Sequence, residues 1–568
     1  MKSVNLLLCL ILSLTLSAQS RYDIVIDELM VDPSPPAGLP NNEWIELKNV
    51  SVLPIDLQGW RIADANGQSG PMPAFILQPD SFVIVCSNSA LAALSVFGRA
   101  VPVTSFPSLA NEGELIYLQS YAGAVIHALD YSSSWYDNNI KQEGGWTLEM
   151  IDTKNPCSGS SNWKASTDER GGTPGRKNSV DALNADTGAP EISNAFMVDS
   201  ATIRLLFNEP LDSSSASVPA SYTIDAGISI TAAVPVAPLF SSVDLKLNKA
   251  LQANTVYQVS VASVSDCKGN WIAAGQLQKI GKPSDASVAD LVINEILFNP
   301  RPDGSDWVEI YNRSRKIIDA SAIYIAGRNG SNAISNPVQA SSTSFYLYPG
   351  DYIVVTEDPS SLARNYHVKN PRSVLTVAAL PSLPDDGGDV LISDKQAVVI
   401  DEVKYDRNWH FQLINNDEGV SLERLSPDGP SQDPANWHSA AETAGYGTPG
   451  YLNSQFRQTA VAGAMLEIRP KIFSPDNDGI DDFAILQYRV DEPGYMATVT
   501  IYDAAGRPVR VLVNNATMAM TGFWTWDGLN DKGLKLPAGN YIIFTEIFTL
   551  QGKKRQFKNP VVLARRLN

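Results

Sequence analysis

The sequence predicts an all-β chain, a string of four β-sandwich domains, and three observations carry that prediction. Its 568 residues exceed what a single hydrophobic core organises. Its apolar residues fall in short β-rich runs, such as Phe82-Val83-Ile84-Val85 and Tyr352-Ile353-Val354-Val355, divided by Gly, Pro, Asn and Asp turns. One ordered set of motifs also occurs twice. Long helical periodicity is missing, and the best helix candidate is the brief stretch from Ala90 to Phe97.

Residues 1–18 come first. Lys2 precedes an apolar run from Leu6 to Leu16 and the small residues Ser17 and Ala18, the pattern of a secretory signal peptide cut after Ala18. Cys9 lies inside the apolar run, the wrong context for a lipid-modified cysteine. No later segment reaches the ~18 apolar residues that span a bilayer, so no transmembrane segment is expected.

The repeat defines the next element, residues 21–180, and its second copy, residues 288–455. Ile26-Asp27-Glu28-Leu29-Met30 returns as Ile293-Asn294-Glu295-Ile296-Leu297, and Glu43-Trp44-Ile45-Glu46-Leu47-Lys48-Asn49 as Asp306-Trp307-Val308-Glu309-Ile310-Tyr311-Asn312. Leu148-Glu149 recurs as Leu422-Glu423, Asn162-Trp163 as Asn436-Trp437, and Gly172-Thr173-Pro174-Gly175 as Gly447-Thr448-Pro449-Gly450. Several ordered motifs found twice make the pattern specific. These motifs resemble the lamin-tail domain family in its bacterial, extracellular branch, which implies an immunoglobulin-like (Ig-like) sandwich used as a binding or anchoring unit.

Between the copies, residues 186–283 carry Phe207-Asn208-Glu209-Pro210-Leu211, Thr255-Val256-Tyr257-Gln258-Val259 and Asp266-Cys267-Lys268-Gly269-Asn270. This segment resembles bacterial Ig-like domains of surface-layer type, and a β spacer is expected. A polar linker follows Asn453. Residues 466–568 then hold the strand-like runs Ala497 to Tyr502, Pro508 to Leu512 and Tyr541 to Phe544, with a turn from Asp503 to Gly506. Trp526-Asp527-Gly528, Gly533 and Pro537-Ala538-Gly539-Asn540-Tyr541 resemble the FlgD-like Ig fold. Phe473-Ser474-Pro475-Asp476-Asn477-Asp478-Gly479 resembles the opening of gliding-motility C-terminal domains, which implies a sorting domain for type IX secretion in a Bacteroidetes-like bacterium. Four Ig-like sandwiches are thus expected.

Sixty-one acidic against 43 basic residues give a net charge of -18, which repels phosphate backbones and argues against nucleic acid or anionic lipid as partners. Cationic partners fit better. Asp476, Asp478, Asp481 and Asp482 alternate along a turn that Gly479 lets bend sharply, and calcium takes about 6 to 8 oxygens of this kind. An Asx-rich turn leading into a strand is the second reading. No cofactor is required on either.

With Cys9 removed with the leader, Cys86, Cys157 and Cys267 remain, an odd number for an oxidising compartment. A Cys86–Cys157 disulfide is expected because both fall in one predicted domain, with three buried free thiols as the alternative. Glu28 with Glu46, and Glu295 with Glu309, are paired carboxylates that could serve acid–base chemistry. Their place on strands beside Trp44 and Trp307 favours a structural role instead.

His127, His367, His410 and His438 lack zinc spacing, and His438 stands where the first copy has Lys164. Trp135, Tyr136, Trp409 and Phe411 occupy corresponding loops and are the candidate ligand contacts, with packing as the competing reading. No catalytic elbow, phosphate loop or Cys–His pair occurs. The function expected is therefore a non-catalytic surface or secreted protein that binds an extracellular polymer or cell-surface partner. An accessory of an exported hydrolase or nuclease system, or a structural envelope protein, is the alternative.

Overall fold

The computed structural model describes residues 19–414, 416–457 and 464–565, so the expected leader lies outside the described residues, as does part of the linker. Strands dominate, and the longest helix among the described residues is Pro359–Asn365. The expected helix near Ala90 is the single turn Leu91–Leu94. The chain divides into two compact units, one of residues up to Ala250 with Tyr257–Ile280, the other of Leu251–Val256 with the residues from Gly281 onward.

In the first unit, the first copy is a six-stranded sheet in the order Trp163–Ala165, Leu148–Met150, Ile24–Met30, Trp44–Asn49, Phe82–Ser87, Ala100–Val103. Only the last pair is parallel. A three-stranded sheet of Arg61–Asp64, Gly113–Gln119 and Val125–Ser132 faces it. Ile26, Ile45, Leu47, Val83 and Val85 from one sheet and Ile62, Ile116, Leu118 and Ile126 from the other fill the core around Trp60.

Ile24–Met30 and Trp44–Asn49 show no polar-out alternation, because every residue of both strands is buried. The reason is a third layer. The helix Leu91–Leu94 covers Met30, Trp44, Ile84 and Cys86, and the chain after Ala165 covers the rest of that face.

The spacer pairs a four-stranded sheet, Ile192–Asp199, Thr202–Phe207, Ser242–Leu247 and Ile230–Pro235, with a three-stranded one, Tyr222–Ile224, Tyr257–Val261 and Gln276–Ile280. Ile203, Leu205, Val243, Leu245, Val259 and Val261 alternate inward along their strands.

The expected Cys86–Cys157 bond is corrected here. Cys157 bonds Cys267 of the spacer, with Cα atoms 6.3 Å apart, inside the usual disulfide span. Cys86 is a free thiol, fully buried among Trp44, Ile84 and Ala90 under the helix. It packs as a small hydrophobe.

In the second unit, the second copy repeats the six-stranded order: Trp437–Ser439, Leu422–Arg424, Leu291–Leu297, Trp307–Asn312, Tyr352–Thr356, Val374–Thr376. Its facing sheet has four strands, Ile334–Gln339, Ile323–Arg328, Gly387–Asp394 and Val399–Asp406. The added strand Ile334–Gln339 supplies most of the extra length of this copy. The last module sets Met465–Arg469, Ala484–Arg489 and Thr521–Trp526 against a five-stranded sheet whose longest strands are Pro508–Thr517, Gly539–Phe548 and Lys554–Leu563. Trp526 is its centre, with the rings of Phe473 and Tyr541 each 5.2 Å away.

Candidate functional site

The duplicated carboxylates form the most developed polar site in each copy. A bulge between Ile26 and Glu28 inserts Asp27 as an extra residue, and the same bulge between Ile293 and Glu295 inserts Asn294. Beyond the bulge, Glu28 stands opposite Glu46 on one side and Glu149 on the other. Glu295 stands likewise between Glu309 and Glu423. Residues directly opposite share a face, so each copy aligns three glutamates across neighbouring strands. All six are fully buried.

The closing Gly-Thr-Pro-Gly segment lies over these carboxylates. Thr173 donates its backbone N–H to Glu28 Oε1 at 2.7 Å and its hydroxyl to Glu149 Oε1 at 2.8 Å, and the Gly175 N–H reaches Glu46 Oε2 at 2.5 Å. Thr147 Oγ1 and Ser179 Oγ donate to Glu28 and Glu149 at 2.6 and 2.7 Å. In the second copy the Thr448 N–H and hydroxyl donate to Glu295 at 2.9 and 2.8 Å, and the Gly450 N–H donates to Glu309 at 2.6 Å. Ser421 donates its hydroxyl to Glu295, and Ser454 its hydroxyl to Glu423 at 2.8 Å. Gly175 has φ +79, and a Cβ there would sit 2.6 Å from the Phe97 carbonyl oxygen, so glycine alone lets the clamp approach the sheet this closely.

Burial sets the protonation of this site. Desolvation first, and the Glu149 charge second, hold Glu28 well above the ordinary carboxylate range. Desolvation followed by Glu28 and Asp27 does the same for Glu46. Glu295 is pushed up to about 8 by burial and then by Glu423, and Glu309 is raised by burial and then by Glu295. Neutral carboxyls held by the protein's own donors act as struts. Buried under the clamp, they offer no face to a substrate.

The histidines are also packing groups. His127 Nδ1 accepts the Ile26 N–H at 2.8 Å, which puts the proton on Nε2, donated to the Pro156 carbonyl at 3.1 Å. In the second copy the matching Ile293 N–H goes to Asp401 Oδ2 at 2.8 Å, and Arg424 pairs that carboxylate at 3.0 Å. The same backbone donor is thus satisfied by different chemistry in the two copies. Burial lowers His127 and His410 to about 4. His367 stands edge-on to Tyr451.

Two of the four aromatic ligand candidates are corrected by their burial. Tyr136 is 2% exposed and donates its hydroxyl to the Trp146 carbonyl, and Phe411 is 8% exposed and tilts against His438 at 4.9 Å. Trp135 lies 6.2 Å from Trp163 at 37°, and Trp409 lies 6.3 Å from Trp437 at 33°. This repeated ring pair packs against each core and leaves the two tryptophans half-buried.

Of the acidic loop, Asp476, Asp478 and Asp482 bring carboxylate oxygens within 4.8 Å of one another, and Asp481 is not in that group. The loop also satisfies itself. Asp482 accepts the Asn477 and Gly479 N–H groups at 2.7 and 2.9 Å, and Asp478 accepts the Ile480 N–H at 2.9 Å. Those are Asx-turn bonds.

A second group, Asp186, Glu209 and Asp266, also gathers within 4.8 Å, and burial with the neighbouring aspartates lifts Glu209 to about 7. Sequence reasoning missed it because the three residues come from separate turns of the spacer. Asp186 already takes Ser158 Oγ and the Gly188 N–H, and Asp266 takes three donors from Lys268 and Asn270.

Comparison with known proteins finds three family models along the chain. Residues 17–133 and 284–407 match the Lamin Tail Domain family, residues 183–278 the Bacterial Ig-like domain family, and residues 479–544 the FlgD Ig-like domain family. The strands Leu148–Met150 and Leu422–Arg424 and both clamps lie beyond the matched spans, although they complete the sheets.

No curated protein matches the sequence. Among solved structures, the N-terminal part of the bacterial S-layer protein SbsC is 16% identical over 29% of this chain and 39% of that one, with a TM-score of 0.16. A DUF4876 family protein from Bacteroides thetaiotaomicron VPI-5482 is 13% identical over 33% of this chain and 78% of that one, with a TM-score of 0.18. A calcium-stabilised, ice-binding adhesin of an Antarctic bacterium is 9% identical over 96% of this chain and 100% of that one, with a TM-score of 0.12. The chain spans 39% to 55% of the lengths of the S-layer structures it matches. At these scores the likenesses carry no argument about function.

Proposed function

We propose that a chain carrying two lamin-tail domains, a bacterial Ig-like domain and a FlgD-like Ig domain works as an exported, non-catalytic modular protein of the cell surface or the secreted fraction. In this reading the lamin-tail copies bind an extracellular polymer or cell-surface partner, and the Ig-like domains space them. The observation that carries it is the sealed carboxylate site. What duplication preserved is the bulge, the glutamates and the Thr-Pro-Gly clamp, all turned toward the sheet. The same framework tolerates His127 in one copy and Asp401 in the other. Recognition then belongs to surface loops that the copies do not share.

The charge balance supports a non-nucleic-acid partner, and no helix among the described residues is long and apolar enough to cross a membrane. The purified mature chain should sediment with whole cells or with insoluble extracellular polymer. A chain that binds neither, yet cleaves nucleic acid or phosphoesters when a divalent metal is added, would sink this reading in favour of an accessory of a hydrolase or nuclease system.

The Phe473-Ser474-Pro475 opening supports a sorting role for residues 466–568 in type IX secretion by a Bacteroidetes-like bacterium. Deleting the segment after Met465 should trap the protein in the periplasm. Unchanged surface delivery would remove the sorting role.

A further inference from the structure

The two carboxylate sites differ at the bulge residue. In the second copy Asn294 donates its amide to Glu309 Oε1 at 2.8 Å and to Asn453 Oδ1 at 2.6 Å. The first copy has Asp27 there, which when ionised donates nothing. Its Oδ1 and the Glu46 Oε1 are both buried without a hydrogen-bond partner, although Asp27 is 1% exposed and Glu46 0%. Asn178, the counterpart of Asn453, is left with the Thr173 hydroxyl at 3.4 Å on its Oδ1. A proton on this pair supplies the donor that Asn294 supplies in the other copy.

The surroundings hold little else to neutralise it. Glu28 on the same strand acts on both members of the pair, Glu46 and Lys48 face Asp27 from Trp44–Asn49, and Glu149 faces it from Leu148–Met150. Asp181 and Lys177 pair with each other in the clamp region, Asp80 faces it from the turn before Phe82–Ser87, and neutral His127 sits on Val125–Ser132. The nearest cation, Lys48, is already drawn outward to Asp80 at 3.4 Å.

We propose that the clamp of the first copy is a proton-dependent latch: Asp27 and Glu46 share one proton beneath it, and loss of that proton to solvent releases residues 172–180 at a lower pH than residues 447–455. Two bare carboxylates in a buried site carry a large desolvation penalty, and hydrating them requires lifting the segment that covers them. The Gly175 N–H on Glu46 and the Asn178 amide on the Asp27 carbonyl are the contacts released. Burial lifts Asp27 to about 7, so opening becomes easier as pH rises toward that value.

Hydrogen–deuterium exchange of the full mature chain, corrected for intrinsic rates, at about pH 5 and about pH 7 tests this. Protection of residues 172–180 should fall by up to about tenfold per pH unit as pH rises from the ordinary carboxylate range toward about 7, as expected for a one-proton linkage, and further than that of residues 447–455. Asp27→Asn should reduce the fall in the first copy to that of the second, and Asn294→Asp should steepen it in the second. An equal fall in both wild-type clamps, an unchanged fall in Asp27→Asn, or no effect of pH on residues 172–180 would each overturn the latch.

Discussion

Thr173 and Thr448 each tie two buried glutamates through one hydroxyl and fix the clamp through one backbone N–H. Removing the hydroxyl leaves buried acceptors short of a donor, which costs about 1–3 kcal/mol. Thr173→Val should therefore lower local stability of the first copy by that amount in hydrogen exchange, and Thr173→Ser should restore most of it. Glu28, Glu46, Glu295 and Glu309 are legible in the sequence as structural carboxylates because they flank tryptophans in strand-like runs. That Glu149 and Glu423 join them is not legible, because only the sheet order sets a strand from late in each copy beside the first one.

The pH dependence also starts from residues. Raised carboxyls bind more protons in the folded state, so stability falls as pH rises from their ordinary values toward about 8, the level of Glu295. His127 and His410, lowered to about 4, act the other way, losing stability as pH falls through the ordinary histidine range. Between about pH 6.5 and 8 the carboxyls dominate, so denaturant midpoints should drop with rising pH.

At the level of elements, strands were legible where short apolar runs end in turn residues, as in Phe82–Ser87 and Tyr352–Thr356. The central strands of each lamin-tail copy were legible as strands but not as strands covered on both faces. Their third layer comes from a four-residue helix and an irregular segment, neither of which has a periodic signature. The aromatic loops misled for a related reason. Trp135 and Tyr136 are polar-flanked in sequence, yet the turn Ser133–Tyr136 points Tyr136 inward.

The acidic loop makes a prediction of its own. Its Asx bonds form the turn without an ion, so chelation should leave the unfolding transition in place. A chelator-induced drop that Asp478→Ala reproduces would show that the loop holds calcium, since an ion bound only to the folded state must raise stability.

For the whole molecule, length, repeat and punctuation announced an all-β string of sandwiches. Covalent connectivity did not follow, because Cys157 and Cys267 lie 110 residues apart in different modules and no local pattern links them. Cys157→Ser with Cys267→Ser should destabilise the first unit by about 2–5 kcal/mol, read from its denaturant transition under oxidising conditions.

The duplicated carboxylates brace each module through hydrogen bonds made within the chain. Glu28→Gln with Glu295→Gln replaces two neutral buried carboxyls by near-isosteric amides, which leaves shape intact and removes any acid–base capacity. Binding of this double variant to whole cells or extracellular polymer, measured beside the parent chain with circular dichroism as the control for folding, shows whether these carboxyls act only as a brace. Unchanged binding by a folded variant is the predicted result. Loss of binding, or loss of a cleavage activity present in the parent, in a variant that remains folded would contradict it.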